Sequence, residues 1–563
     1  FPVGWETSRE GFEGEGGLTQ PSAITDGTSN KDALYESPVG VLKYNIELEP
    51  DEQTDLKLIF GPAKTRDDIK YLKSKYLSDA SSDYVFKSGF SRTLEIESPD
   101  PDFDNFINHW LPRQMLMHGH TNRLTADPQT RNYLQDNMGM SFLEPELMRE
   151  AVIRTLSQQN PDGSLPDGIL LHDEATFNYI NQVPHNDHNV WLPICLQAYI
   201  NETGDNDLLG YNFGEDQHLC GSTIFTRVTA AMDWLIDNRD ERGLSYIAQG
   251  DWCDPMNMVG PDGKGVSGWL TIATAYAVSI WADISKEYGA VIVEKRMRTA
   301  YQNLYECIQS HLWDGDWFIR GISDEGRKFG CSTDEEGRIF LNPQSWAILA
   351  SVASEEQLEK LISSVETQLT TPYGAVLLAP AFTHMHEHIG RVTQKFPGSA
   401  ENGAVYNHAS IFYIYGLYCI GRSDLAFDHL RKMIPAMKLD DLKQIGQLPI
   451  FIPNYYRGAY KQFPEAAGRS SHMFNTGTVS WFYRAVIEKL VGLEGGELGL
   501  SINPQLPESW PFLNARRKFR GADISLEVQR GDSPCISVNG NRLLGANIVQ
   551  IESGQHYKIQ VVI

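Results

Sequence analysis

From about residue 98 to about residue 490, apolar residues return every three or four positions, the spacing of one buried face of an α-helix. In the stretch before Gly289 the positions Trp269, Leu270, Ala273, Ala277, Ile280, Trp281 and Ile284 keep that rhythm, and Gly289 ends it. Similar patterns predict helices at roughly 222–238, 291–312, 344–352, 355–369, 408–421, 424–434 and 476–491. About a dozen helices in one domain, joined by long Gly- and Pro-containing loops, predict a mainly α chain built on an α/α barrel. Both ends alternate instead. The runs VGVLKYNIELEP and QTDLKLIFG, separated by the turn-like PDEQ, predict two strands, and ADISLEVQ, CISVNG and HYKIQVVI predict a small carboxy-terminal β-sandwich cap with an Asn539-Gly540 turn. Between the first strands and the helices, Thr65 is placed to cap a linker helix with Asp67 and Asp68 in its first turn. The expected organisation is therefore 1–62, the last strands of an amino-terminal β-sandwich; 63–97, a linker helix region; 98–492, the helical barrel; and 493–563, the β cap.

Composition narrows what such a chain can do. Its 563 residues hold 48 Lys plus Arg against 73 Asp plus Glu, a net charge of −25 that repels nucleic acid and an anionic membrane surface alike. No run approaches about 18 consecutive apolar residues. The seven cysteines form no metal-ligand or CxxC spacing, which reads as reduced thiols in a cytoplasmic protein. Core packing accounts for most of the 12 Trp, 24 Tyr and 24 Phe, but aromatic faces among carboxylates and amides are also what sugar rings bind. The chain starts at Phe1 in what reads as the middle of a domain, so the amino-terminal sandwich is expected to be incomplete.

Four loop segments hold polar groups that helix packing does not require. In TRNYLQD, Arg131 and Asp136 form either a plain ion pair or a clamp for adjacent sugar hydroxyls, ahead of a flexible NMGMSF. In QGDWCDPMNMVG, Asp251 and Asp254 flank Trp252; apolar walls or a like charge would raise a carboxyl there for acid catalysis, whereas an Asx-stabilised turn is the structural alternative. A third segment gathers Arg391, Lys395, Glu401, Asn402 and His408, where two cations either solvate a short helix or hold an anion. In the fourth, Thr476-Gly477-Thr478 precedes an apolar helix, as an N-cap or an anion site. The histidine groups His118 and His120, His185 and His188, and His384, His386 and His388 read as hydrogen-bonding residues, so no metal and no cofactor is expected.

Taken in order, R…QD, GDWxD, ENG…NHA and NTGT before WFYRAV resemble glycoside hydrolase family 94, the inverting disaccharide phosphorylases. The resemblance implies an (α/α)6 barrel between an amino-terminal sandwich and a β cap, a homodimer, and small-molecule sugar and phosphate as substrates. It implies that Asp254 is the general acid, that Arg131, Asp136 and Trp252 hold the glucosyl unit, and that His408, Thr476 and Gly477 bind phosphate. Where cellobiose-cleaving members carry a carboxylate and a neutral residue, this chain has Arg391 and Lys395, which with Glu401 imply an acidic acceptor: a β-1,4-glucosyl gluconate split by phosphate into α-glucose 1-phosphate and gluconate. The alternatives are a phosphorylase of a neutral β-glucoside, an inverting β-glucan hydrolase with Glu401 as base, and a carbohydrate-binding protein on an inactive barrel.

Overall fold

The computed structural model describes residues 2–33, 36–59, 63, 65–77, 93–178, 185–214, 221–435 and 450–563. Contacts group the chain into two units, Phe1–Gly89 and Phe90–Ile563.

In the first unit, Gly4–Ser8 pairs antiparallel with Pro38–Lys43, Gly4 lying opposite Lys43. The first alternating run thus supplies a strand, but its partner is near the start of the chain rather than the run at 53–61. Residues 53–59 form no strand, and Leu56 and Leu58 stay 64 % and 72 % exposed. Alternation makes a strand only where another element covers its apolar face, and none of the described residues buries those leucines. Residues 60–62 lie outside the described residues. Thr65 caps the helix Arg66–Tyr76 as expected, its hydroxyl accepting from Asp68 N–H while the Asp68 carboxylate accepts from Thr65 N–H.

Helices dominate the second unit. A series of almost wholly buried helices, Thr130–Met138, Trp191–Thr203, Gly268–Glu287, Leu341–Leu349, Asn407–Cys419 and Thr478–Ala485, pack one against the next, and the last also packs against the first. More exposed helices alternate with them along the chain: Pro145–Ser157, Ile224–Asp237, Val291–His311, Glu355–Gln368 and Ser423–Met433. The buried series explains its own sequence. Asn407–Cys419 (NHASIFYIYGLYC) is apolar on every side because other helices surround it. The segment after Met138, expected to be flexible, is instead the buried turn Gly139–Phe142, held by Met138, Met140 and Phe142 in the core.

At the carboxy end, Phe512–Phe519, Ala522–Gln529, Cys535–Val538, Asn541–Arg542 and His556–Val562 form one sheet. Leu94–Glu97, from the expected linker region, completes its far edge by pairing with Phe512–Phe519. Asn539 and Gly540 both take positive φ, making the predicted turn between Cys535–Val538 and Asn541–Arg542. A second sheet joins Leu493–Gly496, Gly499–Ile502 and Asn547–Ile548. Six described cysteines are free thiols, and no described helix is long and apolar enough to cross a membrane.

Candidate active site

The candidate residues lie at the amino-terminal ends of the buried helices or in the loops leading into them. Arg131 is the second residue of Thr130–Met138, Asp187 precedes Trp191–Thr203, the acid loop leads into Gly268–Glu287, His408 opens Asn407–Cys419, and Gly477 caps Thr478–Ala485. Each such end carries N–H groups with no acceptor inside the helix, and the positive pole of its helix, so these positions favour anionic partners.

Arg131 and Asp136 do not pair with each other. Five residues apart on a helix they point about 140° apart and sit about 7.5 Å apart along its axis. The Arg131 guanidinium instead donates to the buried Asp187 carboxylate at 2.7 Å, to the Asp251 carbonyl at 2.9 Å, and to Asp254 Oδ1. Trp191 Nε1–H also donates to Asp187 at 3.0 Å. Burial pushes the Asp187 carboxyl up, but Arg131 and His188 outweigh it and hold it below its ordinary value.

The two acids of GDWCD have separate fates. Asp251 is fully buried; it accepts from Cys253 N–H at 2.9 Å in an Asx turn, from Ser267 Oγ at 2.6 Å and from Arg320 at 2.6 Å. It is therefore not the like charge beside Asp254 that the spacing suggested. Nor do apolar walls enclose Asp254. Its side chain is 47 % exposed, and Oδ1 meets Arg131, His185 Nε2 at 3.2 Å and Gln129 Nε2 at 3.4 Å. The turn of the loop sends residues three apart to opposite sides, one inward to Arg320 and one to the open face.

His408 is buried with both ring nitrogens engaged. Trp252 Nε1–H can only donate, so His408 Nδ1 accepts at 2.9 Å and the ring proton sits on Nε2, which donates to Gln135 Oε1 at 2.9 Å. Gln135 Oε1 also accepts from Trp481 Nε1–H at 3.0 Å. Burial, with Arg131 nearby, pushes the His408 pKa well down and keeps it neutral. His408 is thus not an open phosphate donor; it braces Trp252 against Gln135. Trp252 itself is 7 % exposed and packs edge-on to Tyr406.

The helix start at Gly477 already faces an anion, the Asp136 carboxylate. Asp136 accepts from Gly477 N–H at 2.8 Å and Arg123 Nε at 3.2 Å, and lies 3.5 Å from His118 Nδ1. Gly477 has φ +56°, and a Cβ there would come within 2.4 Å of Gln135 Cβ, so only glycine brings the two helices this close. Thr476 is half-buried and its hydroxyl accepts from Arg123 at 3.2 Å. Arg123 escaped the sequence reading. Its available signal was weak, a cation two residues after Thr121 at a helix end; the structure marks it by positive φ at Asn122, Arg123 and Leu124 in succession.

The third segment is tied to the acid loop by its backbone. Val392 N–H donates to the Pro255 carbonyl at 2.9 Å, Arg391 N–H to Asn257 Oδ1 at 3.1 Å, and Met258 N–H to the Ile389 carbonyl at 3.3 Å. Of the two cations, Lys395 is ion-paired with Glu401. Arg391 is exposed, and among the described residues its guanidinium meets no carboxylate. Glu401, held by Lys395, is not a free base.

Asp167 Oδ1 accepts from His185 Nδ1 at 2.7 Å and His188 Nε2 at 2.6 Å, another cluster that sequence alone left unconnected. These are ligand types that hold zinc, but an ion bound at about 2.0–2.2 Å to each would spread them further apart, so the geometry is that of hydrogen bonds. Asp136, Asp167 and Asp187 all have carboxyls depressed below the ordinary 3.8, in each case against the upward push of burial. Folding therefore favours their ionised forms; the stability they contribute is complete above that value and is lost as pH falls through the folded values. The urea midpoint is expected to drop steeply below about pH 4, and Asp136→Asn should flatten that decline, read as midpoint against pH.

The "Glycosyl hydrolase 94 superfamily, catalytic domain" matches residues 88–492, and the "Glycosyl hydrolase 94, supersandwich domain" matches residues 2–79. The chain is 51 % identical over 572 residues to a cellobionic acid phosphorylase of Neurospora crassa, covering 100 % of this chain and 72 % of that one. It is 32 % identical to a 3-O-beta-D-glucopyranosyl-beta-D-glucuronide phosphorylase of Paenibacillus borealis, covering 99 % and 73 %. Among solved structures, a GH78 family rhamnosidase of Bacillus sp. GL1 aligns with a TM-score of 0.51 at 14 % identity, over 84 % of this chain and 44 % of that one, a likeness of fold alone.

Proposed function

The chain belongs to the glycosyl hydrolase 94 family, and on that premise we propose that it is an inverting phosphorylase of cellobionic acid, releasing α-D-glucose 1-phosphate and D-gluconate. The observation that carries this reading is the 51 % identity along the whole chain to a protein of that activity. We also read the series of buried helices, each touching the next and the last touching the first, as the inner ring of an (α/α)6 barrel, with the alternating, more exposed helices outside.

In this mechanism the glucosyl unit lies between the Arg131 end and the Asp136 end of helix Thr130–Met138. Asp254 protonates the glycosidic oxygen, the bond from that oxygen to the anomeric carbon breaks, and a phosphate oxygen bonds to the same carbon from the opposite face. Phosphate arrives as an anion, so no second carboxylate is needed to activate a nucleophile, in contrast to inverting hydrolysis. Thr476, Arg123 and the start of helix Thr478–Ala485 supply the donors on that side. The pairing of Glu401 with Lys395 counts against a hydrolase that uses Glu401 as base.

The acceptor's carboxylate is assigned to Arg391, whose backbone is bound to the acid loop and whose side chain is exposed. The acidic acceptor named for the Paenibacillus relative is in keeping with such a cation. Phosphate-dependent release of glucose 1-phosphate from cellobionate, cellobiose and 3-O-β-glucosyl glucuronide tests the reading. Cellobionate is expected to be turned over best; no product from any of the three would overturn it. In the synthetic direction, Arg391→Ala should raise the KM for gluconate at least about tenfold, the loss of one charge-assisted hydrogen bond, and leave the KM for glucose 1-phosphate within about twofold. Lys395→Ala should have the smaller effect, because its ammonium is already held by Glu401.

A further inference from the structure

The acid loop and the segment at 185–188 are joined. His185 bridges Ala248, and Asn186 N–H donates to the Gly250 carbonyl at 3.2 Å. The His185 ring lies directly on Gly250, where a Cβ would come within 2.6 Å of its Cδ2. The ring is therefore fixed from three sides: Gly250 beneath, Asp167 at Nδ1, and Asp254 Oδ1 at 3.2 Å from Nε2.

Hydrogen-bond logic places the protons. Asp167 Oδ1 receives both His185 Nδ1 and His188 Nε2. Burial pushes that carboxyl up, but the two histidines prevail and hold it below the usual range, so it is ionised and both rings donate to it. With its Nδ1 proton given to Asp167, His185 presents to Asp254 either an Nε2–H or a bare lone pair. A lone pair facing a carboxylate oxygen at 3.2 Å is repulsive, so the contact is favourable when one proton lies between them, on Nε2 or on Asp254.

The groups around the pair are mainly anionic. The groups facing His185 are Asp167, His188, Asp187, Arg131 and Asp254: three carboxylates against one guanidinium, with Asp251 already neutralised by Arg320. An added proton brings a largely buried cluster nearer to neutrality. A cavity of about 240 Å³ lined by Asp167, His185, His188 and Trp234 is large enough for water, through which the proton can be replaced after each turnover.

We propose that His185 is a positioning residue for Asp254: anchored by Asp167, it keeps one proton shared with the Asp254 carboxyl and so holds the acid ready to donate. This rests on the phosphorylase reading above. When the glycosidic bond breaks, Asp254 gives the shared proton to the departing gluconate oxygen, His185 is left neutral, and the negative charge left on Asp254 faces Arg131 and Gln129. In synthesis the same proton returns from the gluconate hydroxyl to the pair.

The test compares a leaving group that needs protonation with one that does not. Phosphorolysis of cellobionate and of β-D-glucosyl fluoride is measured for the parent and for His185→Gln. The variant is expected to lose about 10²-fold in kcat on cellobionate, within the range of acid catalysis, and about threefold or less on the fluoride, with KM for phosphate unchanged. His185→Asn, which keeps an amide to bond Asp167, carries the same expectation should His185→Gln not fold. Equal losses on the two substrates would overturn the proposal. A parent that forms no glucose 1-phosphate would instead overturn the phosphorylase reading.

Discussion

Asp254→Asn is expected to reduce kcat on cellobionate by about 10²–10⁴-fold, the usual contribution of a general acid, while the protein stays folded. Two features of the site support both halves of that expectation. The Asp254 side chain is 47 % exposed and meets its three neighbours through Oδ1 alone, so an amide oxygen can still accept from Arg131 and Gln129. What the amide cannot do is release a proton to a departing alkoxide. The measurement is phosphate-dependent formation of glucose 1-phosphate, with thermal unfolding monitored on the same preparations. Turnover equal to the parent's would remove Asp254 from the mechanism. A lowered melting temperature with parallel loss of activity would show that the residue serves the fold.

Arg131→Met should be costly in a different way. Arg131 joins a fully buried carboxylate, Asp187, to the exposed Asp254, and it also donates to the Asp251 carbonyl. Removing the cation leaves Asp187 buried with Trp191 Nε1–H as its remaining strong donor. Breaking a buried pair from one side costs about 3–5 kcal/mol, far more than the pair adds over an apolar substitute. Denaturant unfolding of Arg131→Met should show a loss of that size together with loss of activity. The double variant Arg131→Met/Asp187→Asn separates the two roles: it removes the stranded charge and is expected to recover most of the stability and none of the activity. Recovery of activity in the double variant would mean that Arg131 serves only to neutralise Asp187.

The local grammar of the chain was readable without a structure. Apolar spacing and stop signals located Gly268–Glu287, Val291–His311 and Glu355–Gln368 closely, and the Thr65 cap appears as predicted, because caps and amphipathic faces are decided within a few residues. The run at 53–59 misled for the complementary reason: alternation describes a strand that has a partner and a covered face, and neither is encoded in the run itself. Likewise the loop after Met138 looked mobile because its glycine and serine are visible in sequence, whereas the core that encloses Met140 and Phe142 is not.

The site divides along the same line. Sequence alone singled out the candidates, since Asp254, Arg131, His408, Arg391 and Gly477 stand out in loops and at helix starts where packing does not ask for them. The tertiary structure decided what each one faces. Arg131 finds Asp187 56 residues away and Asp254 123 away, His408 finds Gln135 across 273, and Asp136 finds the Gly477 amide across 341. It separated the neighbours Asp251 and Asp254, gave Lys395 to Glu401, left the Arg391 guanidinium with no carboxylate among the described residues, and brought His185 to Asp254. Helix formation is local, so its signals are written beside the residues they govern. The pairing of buried charges depends on which helices become neighbours and which ends meet, and that is settled only when the whole core packs.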